Sequence, residues 1–387
     1  MNKKELELYI HIPFCVRKCS YCDFLSAPAT EQTREAYMAA LFAEIGGRAK
    51  DYSDRTVTSI FIGGGTPSLL SGEQIGQLMD RIREQFAMAQ DAEITMEVNP
   101  GTASAEKLRN FYTAGINRLS IGMQSAQAEE LKNLGRIHDF EGFCQVYREA
   151  VEAGFTNINV DIMSGLPGQT LASYRDTLEK VLHLEPMPQH ISAYSLIVEE
   201  GTPFAAMAER GELPLPEEET ERAMYEETIE VLAKYGFHRY EISNYARDGY
   251  ECRHNVGYWI RRDYLGFGIG AASLIDNVRF QNEKSLGAYL AHPLESREEE
   301  QTLTVQDRME ETMFLGLRLT RGVSCVDFAE QYGRTVEEVY GEVIARNVAD
   351  GLLTVTERKE NQKKDRFLAL TKRGLDLSNY VMAQFVF

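Results

Sequence analysis

Between residues 6 and 196 the chain repeats one pattern: a strand-like run, then a helical stretch. The strand-like runs are LELYIHI (6–12), TVTSIFI (56–62), EITMEVN (93–99), RLSIGMQ (118–124), NINVDIM (157–163) and HISAYSL (190–196). The repeat is clearest in YTAGINRLSIGMQS and VEAGFTNINVDIMSG, whose glycines, Gly115 and Gly154, stand 39 residues apart. A third copy, AKYGFHRYEIS, puts Gly236 82 residues later, about two periods on. Glycine suits the left-handed residue that ends a helix, because it has no Cβ to clash. Ser71, with Gln74 three residues on, reads as a capping box that opens one of the helices. Strands joined by helices of this length run parallel, with the helices outside. Six such units predict an α/β fold, a full or partial barrel.

Barrel geometry gives strand parity a meaning. In 93–99, Ile94, Met96 and Val98 share one face and leave Glu97 on the other. In 118–124, Leu119, Ile121 and Met123 oppose Gln124, and in 157–163, Ile158, Val160 and Ile162 oppose Asp161. Glu97, Gln124 and Asp161 therefore fall near strand C-terminal ends, away from the helix-packing side. A polar strand end alone is an ordinary loop start. Three in register mark the inner rim of a barrel, where ligands bind.

The 387 residues are too many for one ordinary core and enough for two domains. The net charge, 41 − 59 = −18, argues against a nucleic-acid groove or an anionic membrane surface as the main partner. No apolar run approaches the ~18 residues that would suggest membrane insertion, and MNKKELELYI does not read as a signal peptide. Of six cysteines, Cys144, Cys252 and Cys325 are scattered singly. That is no disulfide framework, and it predicts a cytoplasmic protein.

The other three, Cys15, Cys19 and Cys22, lie within HIPFCVRKCSYCDF, directly after the first strand. Structural zinc wants four ligands, commonly two C-x2-C pairs, and no second pair exists. A redox disulfide needs only two cysteines. Three thiolates on a short loop better suit a 4Fe–4S cluster with one iron free to chelate a small molecule. After the second strand comes IFIGGGTPSLL, where Gly63, Gly64 and Gly65 remove side chains so that a ligand can approach the backbone.

C-x3-C-x2-C after strand one and GGGTPS after strand two resemble the radical S-adenosylmethionine superfamily. YIHIPFC, CSYCDF, EVNP, SIGMQS, LGRIH and GLPGQT narrow the resemblance to its coproporphyrinogen dehydrogenase-like branch, over nearly the whole chain. The resemblance implies a partial (βα)6 barrel whose cluster is held by Cys15, Cys19 and Cys22, with S-adenosylmethionine on the fourth iron. It further implies that Gly64, Gly65 and Thr66 meet the methionine amino end. Glu97 and Asp161 would accept hydrogen bonds from ribose or amine. Gln124 and Arg136 would fix ribose and carboxylate, and Tyr9 and Tyr21 would flank the cofactor.

Within the branch, the dehydrogenases carry a fourth cysteine two positions past the third, where this chain has Phe24. ECRHNVGYW (251–259) is similar to the H-N-x-x-Y-W signature of HemW-type heme chaperones. By itself, a histidine beside tyrosine and the chain's only tryptophan, Trp259, is a packing motif. The resemblance makes His254 the candidate heme ligand, with Cys252 as its rival. It implies a carrier that binds a 4Fe–4S cluster, S-adenosylmethionine and heme, and passes heme to acceptor proteins. The alternative is a radical enzyme acting on a porphyrinogen or another substrate.

Three segments are expected: a barrel over 1–235, an extension with the heme motif over 236–300, and a small domain over 301–387. The last has helical patterns at 305–319, 325–332 and 336–349, then strand-like runs LLTVT and FLALT, an order that resembles a winged helix. Its 12 basic and 13 acidic residues, a net of −1, do not suit a DNA reader.

Overall fold

The computed structural model describes residues 3–295, 297–360 and 363–386. Strands β1 (Lys4–Ile12), β2 (Arg55–Gly64), β3 (Ala87–Val98), β4 (Arg118–Gln124), β5 (Ile158–Ser164) and β6 (His190–Ser195) pair in sequence order, all parallel. Each matches one of the expected runs. Gly115, Gly154 and Gly236 take φ of +94°, +110° and +82°, the left-handed turn that the repeat requires. Ser71 and Gln74 form the capping box at the start of the helix Gly72–Gln85.

The helices pack outside as parity demands. Gly72–Gln85 buries Ile75, Leu78, Met79 and Ile82, and Glu31–Arg48 buries Tyr37, Leu41 and Ile45, spaced three or four apart. They join Ile10, Ile60, Met96, Leu119 and Val160 from the outer strand faces in one core. Each such aliphatic side chain contributes about 1.5–3 kcal/mol of burial.

The segment 236–300 is not one block. β7 (His238–Arg239) and β8 (Asn244–Ala246) extend the sheet antiparallel beyond β6. β9 (Tyr264–Phe267) instead crosses to the opposite edge and pairs parallel with β1. β10 (Ala272–Ile275), β11 (Val278–Asn282) and β12 (Arg297–Thr302) continue outward from it, antiparallel. The twelve-stranded order ends on β12 at one edge and β7 at the other, so the barrel stays open.

The C-terminal residues have their own core, with Met313, Leu317, Phe328, Tyr340 and Leu368. The helix Val305–Gly316, β13 (Val323–Ser324), helices Cys325–Tyr332 and Val336–Ala349, β14 (Leu353–Glu360) and β15 (Lys363–Leu370) follow winged-helix order. The sheet order is β13-β15-β14. Side-chain contacts are among the links that tie this unit to the barrel. Glu311 pairs with Arg261 at 2.8 Å and Arg279 at 2.7 Å, and Arg318 lies over the Trp259 ring at 4.4 Å. No helix among the described residues is long and apolar enough to cross a membrane.

Candidate functional site

The C-terminal ends of the parallel strands surround a cavity of about 500 Å³. Glu97, Gln124 and Asp161, singled out by parity, all line it, with Tyr21, Gly64, Gly65, Thr66, Arg136 and all three loop cysteines. Tyr9 is not on the wall; it points inward lower down, 3.0 Å from His11 Nδ1 and stacked on Phe61. Phe24 and Ile197, 58% and 67% exposed, form an apolar rim. Within a chain of net charge −18 this wall is balanced: Asp23, Glu97, Asp161 and Glu199 face Arg17, Lys18, Arg118 and Arg136.

The cysteine loop is clamped from several sides. Gly65 N–H donates to Ile12 O at 2.8 Å and Thr66 N–H to Phe14 O at 2.7 Å. Ser20 N–H donates to Leu134 O, and Phe204 N–H to Ser20 O. Thr66 Oγ1 reaches Cys15 Sγ at 3.4 Å, and Arg136 Nη1 stands 4.0 Å from Cys19 Sγ. The glycine run thus has a different first purpose from the one its sequence suggests. A Cβ on Gly65 would stand 2.7 Å from Phe14 O and 2.8 Å from Ile12 O, so the close approach is by the protein's own cysteine loop. Gly64, at φ +107°, would strike the His11 ring.

Among the described residues no three His, Cys, Asp or Glu side chains gather closely enough to hold a single metal ion. A polynuclear cluster asks for something else, since each thiolate takes its own iron. Three free thiols on one clamped loop, opening into a cavity, fit that demand. Burial raises the Cys22 thiol pKa, so a neighbouring cation is needed to hold it as thiolate.

The rest of the wall fits a small zwitterion. Arg136 donates to Gly122 O at 2.5 Å, while its buried Nε has no partner among the described residues, an open donor for a carboxylate. Glu97 accepts from Gly64 N–H at 3.0 Å; burial first, then the charge of Asp161, pushes its pKa up to about 7. Asp161, also raised by burial, accepts from Asn159 Nδ2 at 2.7 Å. Gln124 accepts from Tyr194 OH at 3.0 Å and sits at φ +70°, where β4 bulges against β5.

His254 does not join this wall. Residues Arg253–Trp259 form a short helix, not a strand, that closes the bottom of the barrel. Glu93 of β3 caps it, accepting from Arg253 N–H at 3.0 Å and His254 N–H at 3.1 Å. His254 is 1% exposed. Its Nδ1 lies 2.8 Å from Ser59 Oγ, its Nε2 3.1 Å from Tyr258 OH, and its ring stacks on Phe61. Burial lowers its pKa to about 3. In this conformation both ring nitrogens, the expected axial donors, are engaged, and iron would reach one only after the helix moved. Cys252 is fully buried against Glu93, its thiol pushed up to about 12 by burial. Of the motif, only Asn255 reaches the cavity.

Sequence reading passed over Arg118, Asn159, Ser192 and Asn255, which line the cavity. Parity could have found two of them. Arg118 shares the inward face with Gln124, and Asn159 with Asp161.

Residues 9–181 match the family model of the radical SAM superfamily, and residues 303–377 that of the HemN C-terminal domain. The chain is 38% identical over 385 residues to the heme chaperone HemW of Bacillus subtilis strain 168, covering 98% of each. It is 37% identical over 358 residues to that of Escherichia coli K12, covering 90% of this chain and 92% of the relative. The solved coproporphyrinogen III oxidase HemN from Escherichia coli, a radical SAM enzyme, superposes with a TM-score of 0.85 at 28% identity, covering 100% of this chain and 91% of that one. With its cysteine loop, glycine turn and both domains matched end to end, the chain belongs to the HemW family of the radical SAM superfamily.

Proposed function

We propose that the protein is a heme chaperone that binds a 4Fe–4S cluster, S-adenosylmethionine and heme, and delivers heme to acceptor proteins. The observation that carries this reading is the end-to-end match to relatives named as heme chaperones. In it, Cys15, Cys19 and Cys22 hold the cluster. Arg136 pairs with the cofactor carboxylate, and Gly64, Gly65 and Thr66 line its amino end. Glu97, Gln124 and Asp161 take its ammonium and ribose, beside Tyr21. The cluster, when bound, supplies a single electron and a chelating iron. The exposed Phe24 and Ile197 offer a flat porphyrin an apolar rest at the rim. Heme titration of the anaerobically purified protein, with an assay for coproporphyrinogen conversion, tests this reading. Stoichiometric heme binding without conversion is expected. A second reading, a radical enzyme acting on a porphyrinogen, draws on the likeness to the oxidase structure, and robust conversion would establish it instead.

Two results follow for the cofactor pocket. Asp161→Ala should weaken S-adenosylmethionine binding roughly 10- to 100-fold, the worth of a charge-assisted hydrogen bond, and leave the reconstituted cluster intact. Calorimetry with the cofactor checks it, and unchanged affinity would make Asp161 a purely structural strand end.

The second result concerns pH. A carboxylate near pKa 7 must lose its proton to hold an ammonium, so cofactor affinity should rise as pH climbs through 7 and level off above. Glu97→Gln should flatten that rise. Stability of the ligand-free protein runs the other way. Glu97 and Glu7, the latter pushed by burial to about 8, bind protons more tightly folded than at the ordinary 4.5. Their stabilising contribution is complete below pH 4.5 and is lost as pH rises through 7 to 8. Melting curves across that window provide the measurement.

A further inference from the structure

Arg118 begins β4 and, like Ser120, Gly122 and Gln124, enters the barrel. It is 2% exposed. Its one side-chain hydrogen bond among the described residues is a long one, from Nη1 to Thr95 Oγ1 at 3.5 Å, and its Nε has none. No carboxylate stands at ion-pair distance from it among those residues. The acids nearby are committed elsewhere. Glu93 caps the helix Arg253–Trp259, and Asp161 accepts from Asn159 and Ser120. A buried guanidinium left this way is costly. Its planar fork matches a carboxylate, which can accept two parallel hydrogen bonds from it.

The surroundings fit such a guest. Asn255, whose side chain makes no hydrogen bond among the described residues, lines the same cavity, as do Ser192 and Ser243. The cofactor's own carboxylate already has a candidate partner in Arg136, beside Cys19. Arg118 lines the cavity together with Asn159, Ser192 and Asn255, within electrostatic range of Cys252 and Glu93 at the barrel floor, so a second carboxylate can be held apart from Arg136.

We propose that Arg118 and Asn255 form an anion subsite deep in the cavity that takes a carboxylate side arm of the bound tetrapyrrole. The inference rests on the heme reading above, and it sets orientation: one acidic edge of the ligand points inward and the apolar edge meets Phe24 and Ile197 at the rim.

The test uses the full-length, cluster-loaded protein and two probes, heme and heme dimethyl ester, in which both carboxylates are masked. Wild type should bind heme at least tenfold more tightly than the ester. Arg118→Gln should lose that preference while its cluster absorbance and S-adenosylmethionine affinity stay as in wild type. Asn255→Ala should lose it in part, and serves if the Arg118 variant does not fold. Equal binding of heme and ester by wild type, or an unchanged preference in both variants, overturns the subsite and leaves the chaperone reading standing. Failure of wild type to bind heme at all overturns both. A loss of S-adenosylmethionine affinity in Arg118→Gln with the heme preference intact would assign the carboxylate to the cofactor and overturn the tetrapyrrole assignment.

Discussion

Cys19→Ala, purified and reconstituted without oxygen, is expected to carry no stoichiometric iron and to lack the broad visible absorbance of an iron–sulfur cluster. Three thiolates are the smallest protein set for a cluster that keeps one iron open, so no spare ligand can compensate. Cys19 is also central to the loop: Cys22 N–H donates to its carbonyl at 3.3 Å, and Arg136 stands beside its sulfur. Removing the thiol leaves the backbone clamp at Ile12, Phe14 and Leu134 in place, so the variant should fold. Cys144→Ala is the control. That residue lies on the helix Phe140–Glu152, packed against the core and away from the cavity wall. Iron analysis of both decides the matter, and iron retained in the Cys19 variant would sink the cluster assignment.

Much of the barrel could be read from the chain because two periods do not mix. Apolar alternation at two residues fixes which face of β3, β4 and β5 packs on helices, so Glu97, Gln124 and Asp161 had to turn inward. The glycines at 115, 154 and 236 marked helix ends because only their left-handed φ lets the chain reverse there. What stayed hidden depends on contacts far apart in sequence. Nothing near Gly65 announces that its missing Cβ makes room for Phe14 and Ile12. Nothing in 251–259 reveals that Glu93, about 160 positions earlier, caps a helix there. The cap, and the seat of Trp259 under Arg318, make CRHNVGYW a helix. The crossing of β9 to the far edge beside β1 is likewise set by pairing, not by local composition.

The buried histidine gives the other large expected effect. His254→Ala should lower the melting temperature by several degrees. The substitution removes the ring that stacks on Phe61 at 5.3 Å, leaves Tyr258 OH without its partner and leaves Ser59 Oγ only the Glu7 carboxylate, in a sealed interior. A buried cavity with an unsatisfied hydroxyl costs about 2–4 kcal/mol. It also loosens the helix Arg253–Trp259, whose Gly257 fits so closely that a Cβ there would overlap the Glu7 carboxylate. Because that helix carries Asn255 into the cavity and Trp259 to the C-terminal unit, a loosened floor should weaken heme binding modestly and leave the cluster untouched. The heme that still binds should keep the visible spectrum of the wild type, since in this arrangement His254 is not its ligand. A full-length variant with wild-type melting behaviour but an altered heme spectrum would reverse the assignment. It would show that the helix lifts in solution and that the imidazole, freed from Ser59 and Tyr258, reaches the iron.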